Sequence, residues 1–111
     1  MMKLVRFVGD SLQAIRNFPT AARSKAGYQL ERVQRGLDPQ DWKPMRTVGA
    51  GVREIRVRDE SGAFRVVYLT ALGDAIYVLH AFQKKTQKTA RSDIELAARR
   101  FRQVTRSTQH E

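Results

Sequence analysis

Val52-Arg53-Glu54-Ile55-Arg56-Val57-Arg58, Asp59-Glu60-Ser61-Gly62 and Ala63-Phe64-Arg65-Val66-Val67-Tyr68-Leu69 follow one another without interruption and read as strand, turn and strand. Successive side chains on a strand point to opposite faces, so Ile55 and Val57 fall on one side while Glu54, Arg56 and Arg58 line the other. The returning strand, taken to Leu72, is mostly apolar and is interrupted by a single arginine, Arg65. A tight turn at Gly73-Asp74 leads to Ala75-Ile76-Tyr77-Val78-Leu79-His80-Ala81-Phe82, apolar nearly throughout, as a central strand covered on both faces would be. Short turns make these strands antiparallel. The register then decides whether Arg56, Arg58, Arg65 and the segment His80 to Lys85 become neighbours.

On the N-terminal side, Lys3 to Val8 is long enough for one strand and is bounded by Gly9. Asp10-Ser11-Leu12-Gln13 has the form of a helix-capping sequence, with Leu12, Ile15 and Phe18 following at three-residue intervals. Pro19 suits the first turn of a second helix, on which Ala22, Ala26, Leu30, Val33 and Leu37 form an apolar stripe ending near Gly36. Asp38 to Pro44, with Trp42, reads as a loop, Met45 to Val48 as a short strand, and Gly49-Ala50-Gly51 as a turn. On the C-terminal side, Thr86 to Arg91 is a basic loop. Ser92-Asp93-Ile94-Glu95 resembles a capping box and opens a last helix carrying Ile94, Ala97, Ala98, Phe101 and Val104 on one face, to about Arg106. Residues 107–111 are expected to fray. The fold class expected is α+β, a small and mainly antiparallel sheet with two N-terminal helices packed on it and a C-terminal helix, forming a single domain over residues 1–111.

The chain has 21 Lys and Arg against 11 Asp and Glu, a formal charge of +10, which favours a nucleic acid over an anionic membrane or an acidic protein. The absence of cysteine excludes disulfides, thiol catalysis and thiolate metal sites, and fits a cytoplasmic protein. No stretch is apolar enough for a membrane span, and the first residues are too polar for a signal peptide. Two histidines far apart in sequence, His80 and His110, offer no metal set, and no phosphate-binding glycine loop or nucleophilic-serine motif occurs. No cofactor is expected.

What remains is a cationic sheet face. Metal-free RNA cleavage needs a base for the 2′-hydroxyl, cations for the charge building on phosphorus, and an acid for the leaving 5′-oxygen. Arg56, Arg58, Arg65, Lys84 and Lys85 are available as cations, and Glu54 or His80 as the base. Structural roles compete with these. Arg53, Arg56 and Arg58 suit a solvated edge, Arg65 suits an ion pair with Glu54, and His80 suits a packed, hydrogen-bonded position.

Gly51-x-Arg53-Glu54-Ile55-Arg56, then Phe64-Arg65-Val66-Val67-Tyr68, then Leu79-His80-Ala81-Phe82-x-Lys84-Lys85-Thr86, then Ile94-Glu95-x-Ala97 together resemble the RelE/ParE superfamily of type II toxins, and within it the HigB-like, phage-derived branch. The resemblance implies a toxin that cleaves messenger RNA at the ribosome and is neutralised by a cognate antitoxin, acting as a monomer or as a hetero-oligomer with that antitoxin. It implies a catalytic set drawn from Glu54, Arg56, Arg65, His80, Lys84 and Lys85, with Arg53, Arg58 and Lys88 binding RNA and no metal. Arg65 takes the position that contacts the scissile phosphate, and the base remains Glu54 or His80. A ParE-like inhibitor of DNA gyrase and a non-catalytic basic nucleic-acid-binding module are the alternatives.

Overall fold

The computed structural model describes residues 2–70, 73 and 75–109. Its elements run β1 (Leu4–Phe7), α1 (Ser11–Arg16), α2 (Thr20–Gln34), β2 (Trp42–Pro44), β3 (Val52–Asp59), β4 (Gly62–Leu69), β5 (Ala75–Lys84) and α3 (Arg91–Gln109). The strands form one sheet in the order β1-β5-β4-β3-β2. β2/β3, β3/β4 and β4/β5 pair antiparallel, whereas β1 lies parallel to β5, so the sheet is mixed. A parallel partner requires a crossover connection, and α1 and α2 begin it.

Alternation on the strands gives the sheet two buried faces. Ile55, Val57, Phe64, Val66, Tyr68, Ile76 and Val78 pack with Ile15, Phe18, Ala22, Ala26, Leu30 and Val33 from α1 and α2. Val52, Val67, Leu69 and Leu79 pack with Ala97 and Val104 of α3 and with Met45 and Val48. β4 is buried from Phe64 to Leu69, as expected for the central strand with a helical layer on each side. Burying a valine or phenylalanine of this kind contributes about 1.5–3 kcal/mol. The apolar sheet interior therefore supplies most of the stability.

Register is continuous along β3/β4, from Val52 opposite Leu69 to Asp59 opposite Gly62. The connecting Glu60-Ser61 is locked by Asp59, whose Oδ1 accepts from the Ser61 amide at 2.8 Å and from its hydroxyl at 2.5 Å. Between β4 and β5 the register shifts by one residue: Val67 faces His80 but Tyr68 faces Val78. This is a β-bulge with Leu79 as the additional residue. Upstream of it Ile76 and Val78 face α1 and α2; downstream His80, Phe82 and Lys84 share the face of Val67, Arg65 and Ala63.

Several sequence expectations change. The short strand is Trp42–Pro44 rather than Met45 to Val48. Met45 and Val48 instead plug the α3 layer, with the Val48 amide bonded to the Met45 carbonyl at 3.1 Å. Asp10 occupies the N-cap position of α1 but makes no side-chain cap; its carboxylate receives Arg100 Nη2 at 2.7 Å, an ionic partner stronger than an orphan amide. The buried side chains of α1 are Ser11, whose hydroxyl donates to the Val78 carbonyl at 3.1 Å, and Ile15. Leu37 leaves the stripe, 51% exposed beyond Gly36, because α2 stops at Gln34. α3 starts at Arg91, one residue before the expected cap, and runs to Gln109, past the expected fraying point. Residues 1, 71, 72, 74, 110 and 111, with the end of the anticipated fourth strand, Asp74 of the turn and His110, lie outside the described residues. Among the described residues no helix is long and apolar enough to cross a membrane.

α3 is fastened by Arg100, which also donates to the Leu79 carbonyl at 2.9 Å, and by the close passage of Gly49 under Phe101. A Cβ on Gly49 would stand 2.4 Å from the Phe101 ring. Gly49→Ala is therefore expected to cost about 1–3 kcal/mol in urea unfolding, through displacement of the ring. The Arg100 guanidinium holds the Asp10 carboxyl below its ordinary value of 3.8. A depressed folded-state pKa stabilises fully above the unfolded value and ceases to do so as pH falls through the folded one. Asp10 is exposed, so Asp10→Asn should cost under about 1 kcal/mol at neutral pH. That difference should close on acidification toward about pH 2; a constant difference across the range would remove the charge explanation.

Candidate functional site

On the α3 side of the sheet the register places side chains in three rows. Glu54, Val67 and His80 form one; Arg56, Arg65 and Phe82 the next; Arg58, Ala63 and Lys84 the third. The apolar packing of α3 covers Val52, Val67, Leu69 and Leu79, and the basic rows extend beyond it. The register thus brings Glu54, Arg56, Arg58, Arg65, His80 and Lys84 onto one surface.

Arg65 stands at its centre. It is 3% exposed, on the central strand, with Arg56 directly opposite. The Arg56 amide donates away from β4 to the Asp41 carbonyl at 2.9 Å, so Arg56 and Arg65 form a non-hydrogen-bonded pair, with Cα atoms about 4.5 Å apart. Like charges so placed repel. Glu54, one row away, supplies the counter-charge: its Oε1 is 3.4 Å from Arg65 Nε. Arg65 Nη1 donates to the Phe64 carbonyl at 3.1 Å, while Nε lies buried without a hydrogen-bond partner among the described residues. The ion pair balances charge without satisfying the donor. Burial pulls the Arg65 pKa down, Glu54 raises it, and Arg56 and Arg58 lower it further. An arginine remains protonated under such perturbation. Arg65 therefore brings a fixed charge, incompletely hydrogen-bonded, to a cavity of about 120 Å³ lined by Asp41, Arg56, Val57, Arg58 and Arg65.

His80 is occupied differently. Nε2 is 2.7 Å from Asp93 Oδ1 in the first turn of α3, Nδ1 is buried without a partner among the described residues, and the ring stacks on Phe82 with centroids 5.0 Å apart. This arrangement fastens β5 to α3. Lys84 ends β5, half-buried, whereas Lys85 and Lys88 are exposed on the following loop. Arg53 falls on the opposite face. Its guanidinium stacks 3.9 Å over Trp42, and Nη1 donates to Asp38 at 2.9 Å. Nearby Tyr68 is 1% exposed, and burial pushes its phenol above the ordinary value, partly offset by Arg53.

Sequence reading did not identify Asp41, Asp93 or the Asp10–Arg100 contact. The last joins residues separated by 90 positions, and no period in the chain links them. Trp42, half-buried at the start of β2, carries the Arg53 guanidinium stacked over its ring. Among the described residues, no three His, Cys, Asp or Glu side chains gather in a way that could hold a metal ion.

A mixed five-stranded sheet with two helices between its first and second strands and one after its last is a fold that this chain shares with solved RelE toxins. A doubly substituted arginine-to-alanine variant of the E. coli toxin RelE in the free state aligns with a TM-score of 0.64 at 15% identity, covering 94% of this chain and 99% of that one. The Mycobacterium tuberculosis toxin-antitoxin complex RelBE2 contains a chain that aligns with a TM-score of 0.51 at 19% identity, covering 76% of this chain and 100% of its own. At these identities the likeness establishes the fold. The family is given by sequence: residues 13–102 match the phage-derived, Gp49-like family (DUF891), and the chain belongs to it. No curated protein matches the sequence.

The Arg65–Glu54 contact yields a stability prediction. Removing one partner of a buried ion pair leaves the other uncompensated, so Glu54→Ala should cost about 3 kcal/mol, whereas replacing both groups by apolar residues is commonly neutral or stabilising. The double variant Glu54→Leu/Arg65→Met should accordingly be more stable in urea than Glu54→Ala and no less stable than the native chain. A double variant as unstable as the single one would show that the cost is steric.

Proposed function

We propose that the protein is the toxin of a type II toxin-antitoxin pair and that it cleaves messenger RNA without a metal ion. The observation that carries this reading is Arg65: a nearly buried guanidinium with an unsatisfied Nε, opposite a second arginine, beside a small cavity. A purely structural residue at the centre of an apolar strand has little reason to carry charge, since burial of an ion costs several kcal/mol. Such residues are tolerated where a preorganised charge is used, because donors fixed in advance need no reorganisation as charge develops. The Gp49-like family and the RelE fold support the same reading.

In this mechanism the scissile phosphate lies against Arg65, with Arg56 and Arg58 on its flank. The three cations stabilise the negative charge that accumulates on the non-bridging oxygens as the 2′-oxygen attacks phosphorus. Glu54, the carboxylate beside Arg65, accepts the 2′-hydroxyl proton. Lys84 or Lys85, at the exposed end of β5, protonates the departing 5′-oxygen, and Lys88 neutralises a neighbouring phosphate. His80 is left out of the proton transfers, since one of its nitrogens is engaged by Asp93 and the other is buried. Arg53 is left out as well, committed to Asp38 and Trp42 on the other face. An acidic antitoxin segment is the complementary partner for such a surface, and the ribosome is the site of action.

The reading is tested by inducing the protein and mapping mRNA 5′ ends. New ends within coding sequence are expected, with Arg65→Ala lowering their yield by at least about 100-fold, as for loss of one preorganised charge donor. A DNA-damage response without new ends would point instead to gyrase, and neither response would point to passive binding.

A further inference from the structure

A second cavity adjoins the arginine pocket at the open edge of β3. It measures about 430 Å³ and is lined by Ser24, Lys25, Tyr28, Gln29, Gln40, Asp41, Arg56, Val57 and Arg58. Asp41, Arg56, Val57 and Arg58 are common to both cavities. The volume falls within the range of about 300–1,000 Å³ typical of small-molecule sites. Tyr28 presents a ring 51% exposed on α2, off the apolar stripe of Ala22, Ala26, Leu30 and Val33 and against the groove. Behind it Gln29 is held rigid, donating from Nε2 to Gln40 Oε1 and accepting from the Gln40 amide, both at 2.8 Å. Lys25 closes the outer end by donating to the Arg58 carbonyl at 2.8 Å.

We propose that this groove is a nucleobase subsite, in which the base of the nucleotide next to the scissile phosphate stacks on Tyr28 with its phosphates near Lys25, Arg56 and Arg58. The inference rests on the RNA-cleaving reading above. An aromatic face beside a line of cations is the arrangement that holds single-stranded nucleic acid, because every base has a π-face and every link a charge. Continuity with the arginine pocket means that one strand can occupy both. A peptide strand fits less well. Beyond the Asp41 contact at Arg56 β3 extends only from Val57 to Asp59, and Lys25 already takes the Arg58 carbonyl. That is too short an edge for strand addition. The cations around the groove favour an anionic chain.

The test uses the full chain and a hexaribonucleotide carrying 2′-O-methyl groups, which cannot be cleaved, with 2-aminopurine at one position in turn. Stacking on Tyr28 should quench the fluorescence at one position. Tyr28→Ala should abolish that quenching and weaken binding roughly tenfold, while Tyr28→Phe retains both, since the ring and not the hydroxyl is used. The salt dependence of binding should be unchanged in Tyr28→Ala, because no phosphate contact is lost. Tyr28→Ala that binds and quenches like the native chain would overturn the subsite, as would a native chain that does not bind the oligonucleotide. If Tyr28→Ala loses affinity only for a co-expressed antitoxin, the groove is a protein dock and the subsite is likewise overturned. Because the readout is binding, it is separate from the 5′-end mapping. A chain that quenches but does not cleave removes the catalytic reading alone, and one that cleaves without Tyr28 dependence removes the subsite alone.

Discussion

A guanidinium at the middle of a sheet is the constraint around which this molecule is arranged. Arg65 is 3% exposed, faces Arg56 across β3/β4 and has Glu54 3.4 Å away. An ion pair of this kind does not repay its own desolvation. The offset comes from the apolar side chains that flank it, with Val66, Val67 and Tyr68 on the same strand all at or below 1% exposure. Two helical layers are needed for that burial. α1 and α2 pack on one face against Ile55, Val57, Phe64, Val66, Ile76 and Val78, whereas the cluster around α3 on the other takes in Val67, Leu69, Leu79 and Phe82, and the remainder of that face is the basic surface.

The position of α3 is fixed by polar contacts as much as by its apolar face. Asp93 meets His80 at 2.7 Å, and Arg100 meets both Asp10 and the Leu79 carbonyl. Both anchors attach to β5 within two residues of each other. The helix is consequently held at one place along the strand, and the boundary between covered and open sheet is held with it.

Much of this was legible in the sequence. Period-two alternation in Val52 to Arg58 set the faces of β3, the solid apolar run of β5 marked a strand covered on both sides, and the spacing from Ala22 to Val33 set the buried side of α2. The grouping of Glu54, Arg56 and Arg58 followed from that alternation, whereas Arg65 joins them through the β3/β4 register, which the sequence left open. The parts that could not be read share a physical cause. Trp42–Pro44 is a strand because its backbone pairs antiparallel with Arg53 to Ile55 of β3, not because three residues have a period of their own. Asp10 satisfies every local rule for a cap and still turns to Arg100, 90 residues distant. His80 was open to reading as a base or as a packed residue, and the partners that suit the packed role, Asp93 and Phe82, become visible only in the fold. Tyr28 lacked any signal, since an aromatic residue off the stripe of a helix is common.

The bulge at Leu79 has a meaning for how this chain can vary. Strict alternation from Ile76 and Val78 would carry His80, Phe82 and Lys84 to the side occupied by α1 and α2; the additional residue reverses the phase of everything after it. The strand therefore carries two reading frames of inside and outside joined at a single position. Substitutions on either side of that joint act locally. Loss of one residue there would exchange the buried and basic sets over the whole distal half of β5, so length at this position is held more tightly than identity.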